Sequence, residues 1–187
     1  MDEFGYLSVI ISVILGLSIA QLLQGLSQII NARERVRIYW PTIGWAILLL
    51  IVDIQAWWAM FGYRDKHQWT FLQFAVVLLE TIILYLLAAL VMPGIRDEQV
   101  VDLRANYFRH AGWFFGALVA VLADSLLKDV VMVGSLPGGL NLGFHLFWIA
   151  TALVAAFTRS DRYHKAFICV SFAVFVLYIA MLFARLR

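Results

Sequence analysis

Four stretches of the sequence are as long as a lipid bilayer is thick and contain almost no charge. No acidic or basic side chain lies in 4–32 or 166–184, and a single acid interrupts each of 38–63 and 68–95. A helix needs roughly 20 apolar residues to cross about 30 Å of hydrocarbon. The chain is 64% hydrophobic, against roughly 45–50% in a soluble domain. These features exclude a soluble globule and predict an all-α, polytopic integral membrane protein.

Six stretches reach the length that a membrane span requires, so we expect a compact six-helix bundle that forms a single domain over 1–187. The predicted spans are 5–30, 40–62, 70–92, 111–133, 140–158 and 166–184. Val100, Leu103 and Tyr107 recur at helical spacing between the third and fourth spans. This spacing fits either a short helix on the membrane surface or an extension of the fourth span, and we favour the extension.

Basic residues concentrate in alternate loops. The loops after the first, third and fifth spans hold nine of them, namely Arg33, Arg35, Arg37, Arg96, Arg104, Arg109, Arg159, Arg162 and Lys165. The opposite side holds four, namely Arg64, Lys66, Arg185 and Arg187. Because cytoplasmic loops carry the excess of Lys and Arg, both termini are predicted to lie outside the cytoplasm. The expected location is the plasma membrane, as for a bacterial inner-membrane protein.

Two acids lie deep in consecutive predicted spans. Asp53 is 12 residues from Pro41 at the start of the second span, and Glu80 is 12 residues from Met92 at the end of the third. Antiparallel neighbours joined by a short loop tend to pack side by side, so we expect these carboxylates to face each other near the bilayer centre. Gln73 is seven residues before Glu80, on the same helical face and nearer the outer surface.

The fourth and fifth spans add further polar groups. Lys128 follows Asp124 by four residues, the arrangement that favours an ion pair within one helix, so we predict a charge-compensating pair. His145 in the fifth span is expected near the level of Lys128, on the outer approach to the midplane.

Charge balance among these residues points to transport. Asp129, near the outer end of the fourth span, is expected at the membrane interface, where it costs little. Each of the other three acids, Asp53, Glu80 and Asp124, costs on the order of 2.5–3.5 kcal/mol at the centre of a membrane helix, so all three must face the bundle or water. Three carboxylates against one lysine leave two negative charges, which protons or a bound cation must neutralise. We therefore predict a small proton or cation channel or transporter. The pattern does not separate protons from other small cations, including metal ions.

Other functions are compatible with the same residues. Intramembrane acids also act as protonated hydrogen-bond donors that hold helices together, so the rival hypothesis is a scaffold, sensor or accessory subunit that transports nothing. An intramembrane lipid-modifying enzyme is a third interpretation. No nucleotide-binding, metallohydrolase, serine-hydrolase or redox dithiol motif occurs, so the sequence gives no positive sign of an enzyme, a cofactor or a nucleic-acid partner.

Small residues recur every four positions in the first and fourth spans. The predicted helix-packing residues are Ser12, Gly16, Ala20, Gly112, Gly116 and Ala120. Such stripes let helix backbones approach closely, either within one chain or between copies in a homo-oligomer. Since the two spans run in opposite directions, the shared pattern also suggests a 3+3 inverted repeat with a site at the midplane.

Overall fold

The computed structural model of the chain describes residues 3–66, 68–94 and 100–185, with side chains described through 177. The described chain is helical apart from turns and two short strands. The helices are α1 Glu3–Asn31, α2 Trp40–Ala59, α3 Phe71–Val91, α4 Leu103–Val133, α5 Gly139–Phe157 and α6 Asp161–Arg185, with a 3₁₀ turn at Met60–Tyr63 that continues α2. Two basic residues used for the predicted orientation, Arg96 and Arg187, lie outside the described residues, and of Arg185 only the backbone is described.

Helix lengths and composition identify a membrane protein. Among the described residues, four helical segments are long and apolar enough to cross a bilayer: Phe4–Asn31, Trp40–Tyr63, Phe71–Val91 and Gly139–Phe157. Many large apolar side chains on these segments are exposed, including Leu17, Ile54 and Leu86. An apolar outer surface is what a helix presents to lipid.

Local sequence explains where the helices begin and end. Thr70 accepts a hydrogen bond from the Gln73 amide while the Gln73 side chain accepts one from the Thr70 amide, so α3 starts with a capping box. Asp102 caps α4 in a similar way, and this start confirms the predicted extension of the fourth span. Gly134 ends α4 with φ of 83°, a left-handed conformation that glycine adopts without strain.

The helices pack as a ring in the order α2, α1, α3, α4, α5, α6, with α6 returning to α2. α2 also contacts α3 and α4, which places it toward the interior of the bundle. The two halves of the chain pack differently: within the first half α1 packs mainly on α3, whereas within the second half the corresponding α4 packs mainly on α5. This packing gives no support to the predicted inverted repeat.

The predicted small-residue stripes face outward. Ser12, Gly16 and Ala20 on α1 are exposed, as are Gly112, Gly116 and Ala120 on α4. A methyl group added at Gly16 or Gly116 would meet no atom of the chain within 4 Å. The stripes do touch other helices, since the Ser12 hydroxyl accepts from the Trp57 indole of α2 at 3.3 Å and a Cβ at Gly112 would lie 3.8 Å from the Ala156 carbonyl oxygen of α5. Association between copies through the exposed remainder stays a prediction.

Close backbone packing occurs at other glycines. A Cβ at Gly25 would lie 2.8 Å from Met92 Cβ, and one at Gly44 would lie 3.0 Å from Ile168 Cγ1. Gly25 thus lets α1 approach the end of α3, and Gly44 lets α2 approach α6. These two positions were not among the predicted packing residues.

A short parallel ladder joins the first and third loops. Val36 pairs with Val101 and Arg37 with Asp102, and the Val101 amide donates to the Arg35 carbonyl at 3.0 Å. The loops at 32–39, 100–102 and 158–160 lie at the same end of the bundle, which we call the basic end. The ladder confirms that the first and third loops share one side.

Asp161 joins three elements at the basic end. Its carboxylate accepts hydrogen bonds from the Tyr39 hydroxyl at 2.9 Å, from Arg104 at 3.3 Å and from Lys165 at 2.6 Å. These donors, Lys165 foremost, lower the pKa of Asp161 to about 2. Burial and the bond to Asp161 raise the pKa of Tyr39 in turn. The start of α6 is thereby fixed to α4 and to the residue before α2.

His164 is fully buried nearby, among aromatic rings of α4 and α6. Its Nε2 lies 3.1 Å from the Thr158 carbonyl and its Nδ1 lies 3.0 Å from the Tyr107 hydroxyl. A carbonyl only accepts, so Nε2 carries the proton and Nδ1 accepts from Tyr107. Burial lowers the pKa of His164 below that of a free imidazole, which agrees with a neutral ring.

Candidate intramembrane site

A cavity of about 330 Å³ lies between α2, α3, α4, α5 and α6. Its half toward the basic end is apolar and aromatic, with Trp45, Leu87 and Trp148 in the wall. Its half toward the opposite end carries the polar side chains, which are Gln55, Tyr63, Glu80, Ser125, Lys128, Asn141 and His145. The cavity is therefore amphipathic along its length.

Glu80 and Lys128 form an ion pair across α3 and α4. Lys128 Nζ lies 2.5 Å from Glu80 Oε2. Both side chains are largely buried, at 18% exposed for Glu80 and 17% for Lys128, and both border the cavity. A short, charge-assisted hydrogen bond of this kind offsets part of the cost of removing both charges from water.

Asp124 does not form the predicted pair with Lys128. Although it lies four residues earlier on the same helix, the lysine bonds to Glu80, which approaches from α3. Asp124 is 4% exposed, and neither of its carboxylate oxygens has a hydrogen-bond partner. A buried, unpartnered carboxylate costs several kcal/mol in its charged form, so burial favours protonation of Asp124.

His145 borders the polar half of the cavity, as Lys128 does. Its Nδ1 donates to the Asn141 carbonyl at 2.9 Å, and its Nε2 accepts from the Ser125 hydroxyl at 3.2 Å. Ser125 is three residues before Lys128 on α4 and also lines the cavity. The histidine therefore fixes α5 against the same face of α4 that carries the lysine.

Asp53 and Glu80 do not face each other, contrary to the prediction. Asp53 is 1% exposed and accepts a hydrogen bond from the Ser18 hydroxyl of α1 at 2.7 Å. Its second oxygen has no partner. Glu80 has turned instead toward α4 and the cavity. The two acids therefore contact different neighbouring helices, α1 for Asp53 and α4 for Glu80.

Gln73 lies apart from this cavity. Besides its role in the capping box, its side-chain amide donates to the Val131 carbonyl of α4 at 3.4 Å. This contact ties the start of α3 to the end of α4. The side chain is a structural link at the end of the bundle opposite the basic end.

Several polar residues of the site were not predicted. Ser18 escaped notice because one serine in an apolar helix carries no distinctive signal. Ser125 and Asn141 could have been found from the sequence, because Ser125 lies about one helical turn from Lys128 and Asn141 about one turn from His145. Gln55 and Tyr63 complete the polar lining from α2 and the 3₁₀ turn.

Among the described residues, no three His, Cys, Asp or Glu side chains are grouped closely enough to hold a metal ion. Comparison with protein-family models, with curated proteins and with solved structures finds no match. The geometry of the cavity is therefore the basis for a functional hypothesis.

Proposed function

We propose that the chain moves protons or small cations across the membrane, with the Glu80–Lys128 pair and Asp124 as the exchange site. The supporting observation is the charge balance. Lys128 compensates one of three intramembrane carboxylates, and within the described residues the other two, Asp53 and Asp124, form no ion pair and retain unpartnered oxygens. Protons or a bound cation must therefore neutralise them.

A six-span arrangement belongs to the same proposal. Helix α4, with 31 residues, and α6, with 25, exceed the length that a bilayer requires. Both complete the ring around the cavity. In this arrangement the protein lies in the plasma membrane, with the basic end in the cytoplasm and both termini outside it. Copies of the chain associate as a homo-oligomer.

Proton flux into liposomes tests the proposal. Purified protein is reconstituted with a trapped pH dye, and a potassium diffusion potential drives protons inward. We expect flux above that of empty liposomes, and loss of most of it in Glu80→Gln and in Asp124→Asn. Asp65→Asn is the matched control, since it removes an acid that is 89% exposed in a loop.

Either of two results would contradict transport. One is wild-type flux equal to that of protein-free liposomes under every cation gradient tried. The other is full flux in both variants, provided that size-exclusion profiles show all proteins folded.

A structural role is the second candidate, and the environment of Asp53 favours it. The Ser18 hydroxyl of α1 lies 2.7 Å from the carboxylate of Asp53 on α2 and 3.4 Å from the Leu84 carbonyl on α3. These contacts join three helices, and of the three residues Leu84 alone borders the cavity. A scaffold or accessory subunit would show no flux, and its Asp53→Asn variant would lose assembly or thermal stability.

A further inference from the structure

The amphipathic cavity suggests what kind of cation the site accepts. Its volume of about 330 Å³ falls within the roughly 300–1,000 Å³ of small-molecule pockets. A hard inorganic cation such as Ca²⁺ takes about six to eight oxygen ligands, and no acidic cluster of that kind occurs in the described part of the chain. Most of the lining is apolar or aromatic, which suits an organic molecule better than a bare ion.

Aromatic rings and one acid supply the features that bind an organic cation. Trp45, Tyr63, Phe144, Trp148 and Phe175 all border the cavity. The faces of such rings attract cations by about 0.5–2 kcal/mol each, more when water is excluded. The carboxylate of Glu80 lies in the polar half of the same cavity and provides the counter-charge.

We infer that the cavity binds a hydrophobic organic monocation and exchanges it for one proton. This inference rests on the proposed function and specifies the substrate class. The entering cation pairs with Glu80 and displaces the ammonium of Lys128. The ammonium then pairs with the Asp124 carboxylate, one helical turn away, and Asp124 releases its proton. One positive charge enters and one leaves, so the net charge of the site is unchanged.

The groups around Asp124 allow this step. Among the described residues, Glu80 and Lys128 are the charged groups that act on Asp124. Tyr63 and Asp129 act on Lys128, and His145 borders the same cavity. Both ring nitrogens of His145 are held by hydrogen bonds, to the Asn141 carbonyl and the Ser125 hydroxyl. Lys128 is thus the mobile positive charge between the two carboxylates.

Binding of a permanently charged probe tests the inference. The probe is 1-methyl-4-phenylpyridinium, and biphenyl-4-carboxylate serves as an anion of similar shape. Quenching of tryptophan fluorescence reports binding because Trp45 and Trp148 line the cavity. We expect the cation to bind and the anion not to compete. In Glu80→Gln the affinity should fall by about 30-fold, the effect of losing one partner of a buried charge pair, and in the control Asp65→Asn it should not change.

Proton release distinguishes exchange from simple binding. In weakly buffered solution with a pH indicator, saturating wild-type protein with the cation should release one proton per site. Asp124→Asn should bind the cation and release none. Phe144→Leu keeps the acids and removes one aromatic ring. It should weaken binding of the cation and leave the number of protons released per site unchanged. This variant supplies a test if Asp124→Asn does not fold.

The outcomes separate this inference from the proposed function. Proton flux in liposomes with no cation binding and no proton release would overturn the organic-cation inference and leave proton transport standing. Binding with proton release but no flux would support the site and contradict transport. Equal affinity for the cation and the anion, or equal affinity in wild type and Glu80→Gln, would overturn the inference.

Discussion

Lys128 bonds to Glu80 on the neighbouring helix and not to Asp124 on its own helix. The pair joins α3 to α4 beside the cavity. Lys128 therefore pairs with the acid that the tertiary fold brings close, Glu80, and not with the acid four residues away in the sequence, Asp124. The surplus acid, Asp124, is left buried and unpartnered, and this surplus supports the functional proposals.

The ion pair predicts strongly non-additive mutations. Glu80→Gln alone leaves Lys128 without its partner and should reduce the free energy of unfolding by about 3 kcal/mol. Lys128→Met alone should have a similar effect. The double variant should recover most of the loss, because replacing both charges removes the uncompensated one. Unfolding in detergent, followed by circular dichroism, measures all three, and additive losses would contradict the pairing.

The contact between Ser18 and Asp53 predicts a stability cost. Ser18→Ala removes the donor to a buried carboxylate and should lower the free energy of unfolding by about 1–3 kcal/mol. Ser27→Ala on the same helix is the control, since Ser27 is exposed and should change stability by less than about 0.5 kcal/mol. Equal effects in the two variants would argue against the hydrogen bond.

Two glycines of α1 predict opposite results. Gly25→Ala places a methyl group against Met92 and should destabilise the protein by about 1–3 kcal/mol through overpacking. Gly16→Ala meets no atom of the chain and should be neutral or add up to about 1 kcal/mol of helix stability. Melting temperatures in detergent compare them. Marked destabilisation by Gly16→Ala would instead point to an interface between copies at that stripe.

Protonation of the buried His164 should lower the stability of the fold in mild acid. Its pKa is lowered in the folded protein, so the unfolded chain binds the proton more readily. Stability contributed by the neutral ring is complete above the free-imidazole pKa of 6.5 and declines as the pH falls below it. In His164→Gln, which can still bond to Tyr107 and Thr158, the melting temperature should change less between pH 7 and 5.

Protonation of Asp161 should cause a separate loss of stability in stronger acid. Its pKa is lowered from 3.8 to about 2, so its contribution is present above pH 3.8 and is lost as the pH falls towards 2. Asp161→Asn should lower the melting temperature at neutral pH and reduce the dependence on pH below 4. An unchanged acid profile in this variant would show that other carboxylates control acid unfolding.

The helices could be predicted closely from the sequence, because the length of an apolar stretch limits where a span begins and ends. The third span was predicted at 70–92 and the helix is Phe71–Val91; the fifth was predicted at 140–158 and the helix is Gly139–Phe157. Depth along a helix follows from the same count of residues. His145 was accordingly expected near Lys128, and both border one cavity.

Contacts between helices could not be predicted, because they depend on how each helix is rotated about its axis. Spacing alone paired Asp124 with Lys128, whereas the rotation of α3 brings Glu80 to the lysine. The same limitation explains why the sequence did not show whether Gly16 packs within one chain or between copies, and within the described chain it is exposed. His164 was overlooked because it lies just before the sixth predicted span, where a histidine resembles an ordinary loop residue.

The ladder between the first and third loops has a consequence for sequence variation. Its hydrogen bonds join main-chain atoms of residues 35–37 and 101–102, so exchanging one side chain for another leaves the bonding groups in place. Proline at position 101 is different, since it would delete the amide that donates to Arg35. Side-chain changes at these positions therefore leave the two loops joined, while the burial of Val36 and the capping role of Asp102 constrain those two positions separately.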